Sequence, residues 1–454
     1  VKRRGRPEAD ARSVALDVLV RVERGDAWAD VVLAHRLAES ALGPEDRALA
    51  TTLVYGVLAW RGRLDHHLEG LVRGGLARLD PPVLAALRLG LYQLMFLERV
   101  PSFAAVDTSV TLAARRGPGA AGLVNAVLRR VVRAGVDTLP LPDAAADPIG
   151  RLAVELSHPR WLVARWADEL GMDELPALLA ANNRAGEIVL RTNRLRTDPA
   201  TLAAALAAEG VQVAPARFDP DALVVAGGAG RLRHGAAWRQ GRFAFQGEAS
   251  QLVARLVAPA PGARVLDACA APGGKSTLLA AAVGAGGIVV GLDPHAGGAR
   301  RIAGEATRLH AGAVRAVVGD ARRPPSHGPF DAVLVDAPCS GLGTLRRHPE
   351  ARWRRQPGDP ARLATLQREL LAGVAPLVRP GGVLVYAVCT IAREETDGVL
   401  AAFLAAHPAF AVEPATAVLP PGAHALVDAA GILRTFPHRD GLDGFFAVRL
   451  RAPA

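Results

Sequence analysis

The sequence predicts a multidomain chain: an all-α front domain, a small α+β middle subdomain, and a C-terminal Rossmann-like α/β domain on a seven-stranded, mostly parallel sheet. Three observations carry this. Apolar residues recur at helical spacing up to Ala134, proline and small residues then interrupt the pattern, and from Phe243 short apolar runs alternate with helical stretches. A chain of 454 residues, half of them apolar and 22% charged, is long enough for several domains with separate cores.

Residues 1–12 form a polar, basic tail expected to be disordered. Residues 13–134 are the helical domain. Leu84, Leu87, Leu91 and Leu94 mark one apolar stripe, and Gly43-Pro44-Glu45-Asp46 supplies the proline and acids that open a helix. The last helix, "LVNAVLRRVVR", sets an apolar face against Arg129, Arg130 and Arg133, which is either a solvated face or an RNA-contacting one. Residues 135–150 read as a linker. Over 151–242, "PRWLVARWADELG" and "DPATLAAALAAEG" suggest helices, whereas "EIVLRTNRLR", "VQVAPARF" and "ALVVAGG" suggest strands. Within 243–454, strands are expected at 264–268, 287–292, 314–319, 331–336, 382–388, 432–436 and 444–450, the last two as an antiparallel hairpin at the edge. Such a sheet, covered on both faces, binds ligands at the carboxyl ends of its strands.

The net charge of +10 favours a polyanionic partner. No secretory apolar segment follows the basic start, and no uninterrupted run of about 18 apolar residues suggests a membrane span, so a cytoplasmic location without membrane contact is expected. Three cysteines, Cys269, Cys339 and Cys389, make no disulfide framework and no metal-ligand cluster; no metal is expected.

"VLDACAAPGGKST" resembles a phosphate-gripping loop at first sight. A Walker loop needs glycine five positions before Gly274, where Cys269 stands, and its β-carbon obstructs the geometry glycine allows. Gly273 and Gly274 instead let the chain turn tightly and approach a ligand, with a helix N-terminus behind. Asp293 ends the next strand, where a ribose diol is commonly held, and Asp320 follows the third. Two acids without a pyrophosphate loop suggest an adenosyl ligand, and S-adenosylmethionine suits better than a dinucleotide.

Cys339, in "VDAPCSG", and Cys389, in "YAVCT", fall just past the fourth and fifth strands, which adjoin in a doubly wound sheet. A lone free cysteine is ordinarily a small buried hydrophobe; two at matching strand ends beside a methyl donor suggest chemistry. C5 of cytosine is a poor nucleophile until a thiolate adds to C6. A carboxyl group such as Asp336 can then hydrogen-bond N3 and the exocyclic amine. An ordinary thiol of pKa about 8.5 is little ionised at neutral pH, so Lys275 and the nearby helix terminus are expected to assist. The base must leave its stack to be reached. Which thiol attacks stays open on these grounds.

"LDACAAPGGKS", "VDAPCSGLGTLRRHPEARW" and "LVYAVCTIAREET" together resemble the motifs of RNA 5-methylcytosine methyltransferases, the family that includes the Sun and Fmu proteins. The front domain with "GLVNAVLRR" resembles NusB, an RNA-binding antitermination fold. The resemblance covers nearly the whole chain and implies a small-subunit ribosomal RNA substrate. It further implies that Cys389 is the nucleophile and Cys339 assists product release, whereas DNA cytosine methyltransferases attack with the Pro-Cys thiol. Cofactor contacts would fall to Cys269, Ala270, Ala271, Pro272, Gly273, Gly274, Lys275, Asp293, Asp320 and Asp336, with Cys269 giving backbone only. Two departures concern local hydrogen bonding: Val388 stands where the family often has Thr or Ser, and Glu395-Thr396 where it has Glu-Asn.

"TLRRHPEARWRR" (344–355) offers Arg346, Arg347 and Arg352 as phosphate clamps and Trp353 as a stacking surface. His438, beside Asp443 in "FPHRDGLDGFF", is a candidate at the RNA entrance; Trp161, Arg191 and Asn193 are either core or RNA contacts. The rivals are a non-catalytic RNA-binding or antitermination factor and a DNA cytosine methyltransferase. No DNA substrate and no obligate protein partner are expected.

Overall fold

The computed structural model describes residues 10–25, 27–325 and 328–454, so most of the expected basic tail lies outside the described residues. The chain forms two compact units, one of residues 1–185 with 345–355, the other of 186–344 with 356–454.

In the first unit, α1 (Ala11–Glu23), α2 (Ala29–Ala38), α3 (Pro44–Glu69), α4 (Pro81–Phe96), α5 (Ser102–Ala114) and α6 (Pro118–Ala134) share one core. Asp10 caps α1 by accepting from Ser13 N, so Ala11 and Arg12 are helical, and the expected tail ran slightly too far. Proline opens α3, α4 and α6, where its missing N–H costs nothing. On α4, Leu87 and Leu91 are fully buried, and Leu84 and Leu94 pack against the same core.

The expected linker is shorter than 135–150. Asp147 caps α7 (Pro148–Glu155) by accepting from Gly150 N, and α8 (Arg160–Leu170) and α9 (Leu175–Asn182) follow. These three helices belong to the first unit, so the compact units divide near residue 185 rather than at 150. Periodicity marks a helix but not the core its apolar face joins.

The second unit begins with β1 (Val189–Thr192), α10 (Pro199–Ala208), β2 (Gln212–Pro215), β3 (Ala222–Gly227), α11 (Ala236–Arg239) and β4 (Phe243–Phe245). The four strands make an antiparallel sheet in the order β2-β3-β1-β4. Thr192 pairs with Phe243 across β1 and β4, so residues 243–245 complete the middle sheet and the expected start of the α/β domain at 243 falls too early.

Next come α12 (Glu248–Arg255), β5 (Arg264–Asp267), α13 (Gly274–Val283), β6 (Ile288–Asp293), α14 (Ala296–Arg308), β7 (Val314–Val318) and β8 (Phe330–Asp336). A short α15 (Ala351–Arg354) lies in the segment assigned to the first unit. The remainder is α16 (Asp359–Val374), β9 (Val378–Val388), α17 (Asp397–Ala406), β10 (Ala411–Glu413), β11 (Leu433–Thr435), α18 (Pro437–Asp440) and β12 (Phe445–Arg451). The sheet runs β10-β12-β9-β8-β5-β6-β7, with β11 also on β12. β5 to β9 are mutually parallel, and β10, β11 and β12 pair antiparallel. It has eight strands rather than seven: the three residues of β10 are too few to show an alternating pattern.

Side chains alternate between two cores. Ala332, Leu334, Val383 and Val385 join the side of α12 and α13, while Val333, Val335, Leu384 and Tyr386 join the side of α16 and α17. Two covered faces explain why β8 and β9 read as almost continuous apolar runs. Among the described residues, no helix is long and apolar enough to cross a membrane.

Candidate active site at the carboxyl edge of the sheet

Register brings the functional side chains together. Asp267 lies level with Gly291 and Leu334, and Asp336 with Ala387, so β5, β6, β8 and β9 end along one edge. The loop after β5 hangs across that edge: Ala268 N donates to Leu334 O (2.8 Å) and Ala270 N to Leu292 O (2.9 Å). Gly273 turns it into α13 with φ +109°, and a β-carbon there would lie 3.1 Å from Ile302 Cα. Ser276 Oγ donates to Asp267 Oδ2 at 2.6 Å, while Oδ1 is buried without a partner. Burial pushes Asp267 up to about 6 against that hydrogen bond.

Lys275 Nζ lies 2.5 Å from Asp336 Oδ2. Burial disfavours the ammonium, but Asp336, with Asp267 and Cys389 also in reach, more than compensates and holds its proton above the ordinary lysine value. Beyond Asp336, the Sγ atoms of Cys339 and Cys389 are 3.2 Å apart. The hydrogen bond shared with Cys389, then burial, pushes the Cys339 thiol well up.

Sequence reasoning missed the frame that fixes this pair. Ser340 Oγ and Thr390 Oγ1, each following a cysteine, are 2.8 Å apart. Buried Glu395 accepts at Oε1 from Ser340 N (2.8 Å) and Gln367 Nε2 (2.9 Å), and Tyr386 Oη donates to its carbonyl. Burial raises the Glu395 carboxyl despite these donors. The Pro-Cys loop also meets the final hairpin so closely that a β-carbon on Gly343 would lie 1.9 Å from Gly444 O. The sequence signal was a glutamate six residues past Cys389, noted only as part of a family motif. Glu395→Ala removes the acceptor of the Ser340 N–H and of one N–H of Gln367, whose amide keeps Pro338 O and Tyr386 Oη, at about 1–3 kcal/mol for each buried N–H left unpaired. The expected result is a lowered Tm by calorimetry together with lost activity, and recovery of most of both in Glu395→Gln, which keeps an acceptor.

Asp293 ends β6 and accepts from His295 N (2.8 Å). Asp320 follows β7, and its carboxylate is paired by Arg322 at 2.7 Å. Asp267, Asp336, Asp293 and Asp320 all act on Cys269, whose thiol burial and these charges push far up. Four acids around one glycine-turned loop suit a ligand carrying ammonium and sulfonium charges and repel a pyrophosphate. The residues present fit S-adenosylmethionine on that ground.

Other expected contacts are corrected. Arg352 is wholly buried, donating to Ser157 O (3.0 Å), Asn182 O (3.0 Å) and Asn183 Oδ1 (2.6 Å), so it clamps protein carbonyls and not RNA. Trp353 Nε1 donates to Leu58 O (2.9 Å) and its ring packs against Gly62, which removes it as a stacking surface. Arg346 and Arg347 are half-buried in the same segment. Arg191 and Asn193 are buried within the second unit, Asn193 Nδ2 donating to Gly241 O and Leu309 O at 2.7 Å. Arg129 and Arg130 are exposed on α6, and His438 is half-buried against Phe436.

Sheet order, loop and acids together define an S-adenosylmethionine-dependent methyltransferase of the Rossmann-like kind. Residues 254–451 match the 16S rRNA methyltransferase RsmB/F family, residues 9–133 the NusB family, and residues 158–230 the ferredoxin-like domain found in RsmF/B-like methyltransferases. The ribosomal RNA small subunit methyltransferase B of Thermus thermophilus is 37% identical, over 97% of both chains. That of Pseudomonas putida is 38% identical over 80% of this chain and 82% of its own. The crystal structure of PH0851 superposes with a TM-score of 0.83 at 26% identity, covering 97% of this chain and 99% of that one. The chain belongs to the 16S rRNA methyltransferase RsmB/F family.

Proposed function

We propose that this protein methylates C5 of a cytosine in small-subunit ribosomal RNA through a transient bond between Cys389 and C6. The supporting observation is the thiol pair, 3.2 Å apart beside the Lys275–Asp336 ion pair. Cys269 to Lys275, Asp293, Asp320 and Asp336 hold S-adenosylmethionine, which when bound supplies an electrophilic methyl group. The Asp336 carboxylate accepts from the exocyclic amine, and from N3 once addition at C6 makes N3 basic enough to take up a proton; Lys275 keeps that carboxylate oriented. Cys389, its thiol proton given up to solvent, adds Sγ to C6; the C5–C6 double bond opens to an enamine-like form nucleophilic at C5, and C5 takes the methyl group. Removal of the C5 proton then expels Cys389, with Cys339 assisting. Arg129, Arg130, Arg346, Arg347 and His438 contact the RNA.

The test is incubation with methyl-labelled S-adenosylmethionine and 16S rRNA, naked or in the small subunit, followed by digestion to nucleosides. Label is expected in 5-methylcytidine. No transfer to either RNA form would indicate a non-catalytic RNA-binding factor, and preferential labelling of DNA a different methyltransferase.

A further inference from the structure

Cys339 and Cys389 are free thiols, each half-buried, with their Sγ atoms 3.2 Å apart. The backbones that carry them are tied together around the pair. Ala337 N donates to Ala387 O at 2.9 Å and Gly343 N to Cys389 O at 3.1 Å, while the Ser340 and Thr390 hydroxyls meet at 2.8 Å. The reaction proposed above needs both sulfurs free and makes no use of a bond between them.

Their contact has a chemical consequence of its own. A disulfide spans Cα separations of about 4.4–6.8 Å and has a sulfur–sulfur bond of about 2.05 Å. Adjoining strands run about 4.8 Å apart, and β8 and β9, which lead into the two cysteines, adjoin. From 3.2 Å the sulfurs have only about 1 Å to close, which small turns about the two Cα–Cβ bonds supply. Glu395, which accepts from Ser340 N and Gln367, keeps the loops from drifting apart. One sulfur therefore meets the other at the high effective concentration of an oriented intramolecular pair.

We propose that Cys339 and Cys389 are a site of reversible oxidative modification, which hydrogen peroxide links as a disulfide, and that the link switches methyl transfer off. Cys389 gives up its proton and takes one peroxide oxygen as S–OH; the O–O bond breaks, and the other oxygen leaves as hydroxide, which a proton turns to water. Cys339 Sγ then displaces that hydroxyl. The S–O bond breaks, the S–S bond forms, and the Cys339 proton leaves with the hydroxyl as a second water. The two thiols lose two electrons and the peroxide is reduced to two waters. A dithiol reductant reverses the link through a mixed disulfide. The disulfide itself stands apart from the methylation reading; the loss of activity rests on it, because a sulfur bonded to sulfur cannot add to C6.

The experiment exposes the full chain, reduced and freed of reductant, to hydrogen peroxide, quenches with catalase, then unfolds and alkylates it with iodoacetamide. Of its three cysteines, one should be alkylated, and peptide mapping should join the peptide of Cys339 to that of Cys389. Formation of 5-methylcytidine on 16S rRNA is expected to fall about 10³-fold, as in Cys389→Ala, and to return after dithiothreitol. In Cys339→Ala the neighbouring thiol is gone, so peroxide should leave a sulfenic acid on Cys389 that dimedone traps, whereas the parent takes no dimedone there. Three alkylated cysteines after peroxide overturn the proposal. So does a link that includes Cys269, or Cys389 recovered as sulfinic acid beside an alkylated Cys339.

The link is read independently of methyl transfer. A Cys339–Cys389 link with transfer undiminished sinks Cys389 as the nucleophile, and the switch with it, but leaves the disulfide standing. No link under peroxide, with 5-methylcytidine formed normally by the untreated chain, does the reverse.

Discussion

Cys389→Ala is expected to transfer no measurable methyl to RNA, a loss of about 10³-fold or more, because in the proposed reaction the attacking carbon is activated through a bond to sulfur. S-adenosylmethionine affinity should survive, since the glycine-turned loop, Asp293 at the end of β6 and Asp320 just past β7 stay in place. Tm should move little, since Cys389 is only half-buried at the edge of its core. A second readout follows from the thiol pair. The hydrogen bond shared with Cys389 is the largest influence pushing the Cys339 thiol up, so its removal lowers that thiol towards the ordinary range. Alkylation of Cys339 by iodoacetamide should then set in at lower pH in Cys389→Ala than in the parent. Full turnover by Cys389→Ala would overturn the assignment of the nucleophile.

Much of this edge was legible in the residues. Strand runs that end in Asp267, Asp293 and Asp336, a Gly-Gly turn and two cysteines at equivalent strand ends each encode a local geometry, and a parallel sheet brings such ends together. The side chains that lock them were not legible. Glu395 reaches the Pro-Cys loop across 55 residues of chain to accept from Ser340 N, and nothing in its neighbours distinguishes it from a surface acid. Arg352 misled in the opposite direction. An arginine in a basic run reads as solvated or phosphate-bound, yet the Arg352 guanidinium is satisfied by backbone carbonyls and an asparagine, partners that leave no charge pattern to detect. The limit set at residue 243 fell too early for a related reason. Phe243–Phe245 is a strand of the middle sheet because Thr192 and Leu190 lie opposite it, about fifty residues earlier in the chain.

Cys339→Ala should produce the opposite phenotype from Cys389→Ala: a covalent RNA–protein adduct that survives denaturation, formed up to about one per chain, with turnover largely abolished. Its logic is positional. Once C5 carries its methyl group, the C5 proton must leave before the C6–sulfur bond can break. The Cys339 thiol stands beside that sulfur, its own sulfur 3.2 Å from that of Cys389. Deleting it leaves addition and methylation intact and slows elimination, so the adduct accumulates. Denaturing electrophoresis with labelled RNA reads the result, and the band should need S-adenosylmethionine for full yield and vanish in the Cys339→Ala, Cys389→Ala double variant. If the adduct forms instead in Cys389→Ala, the two thiols exchange roles and the Pro-Cys sulfur is the attacker. If Cys339→Ala turns over freely without an adduct, proton removal belongs to another group and Cys339 serves only to pack against its partner.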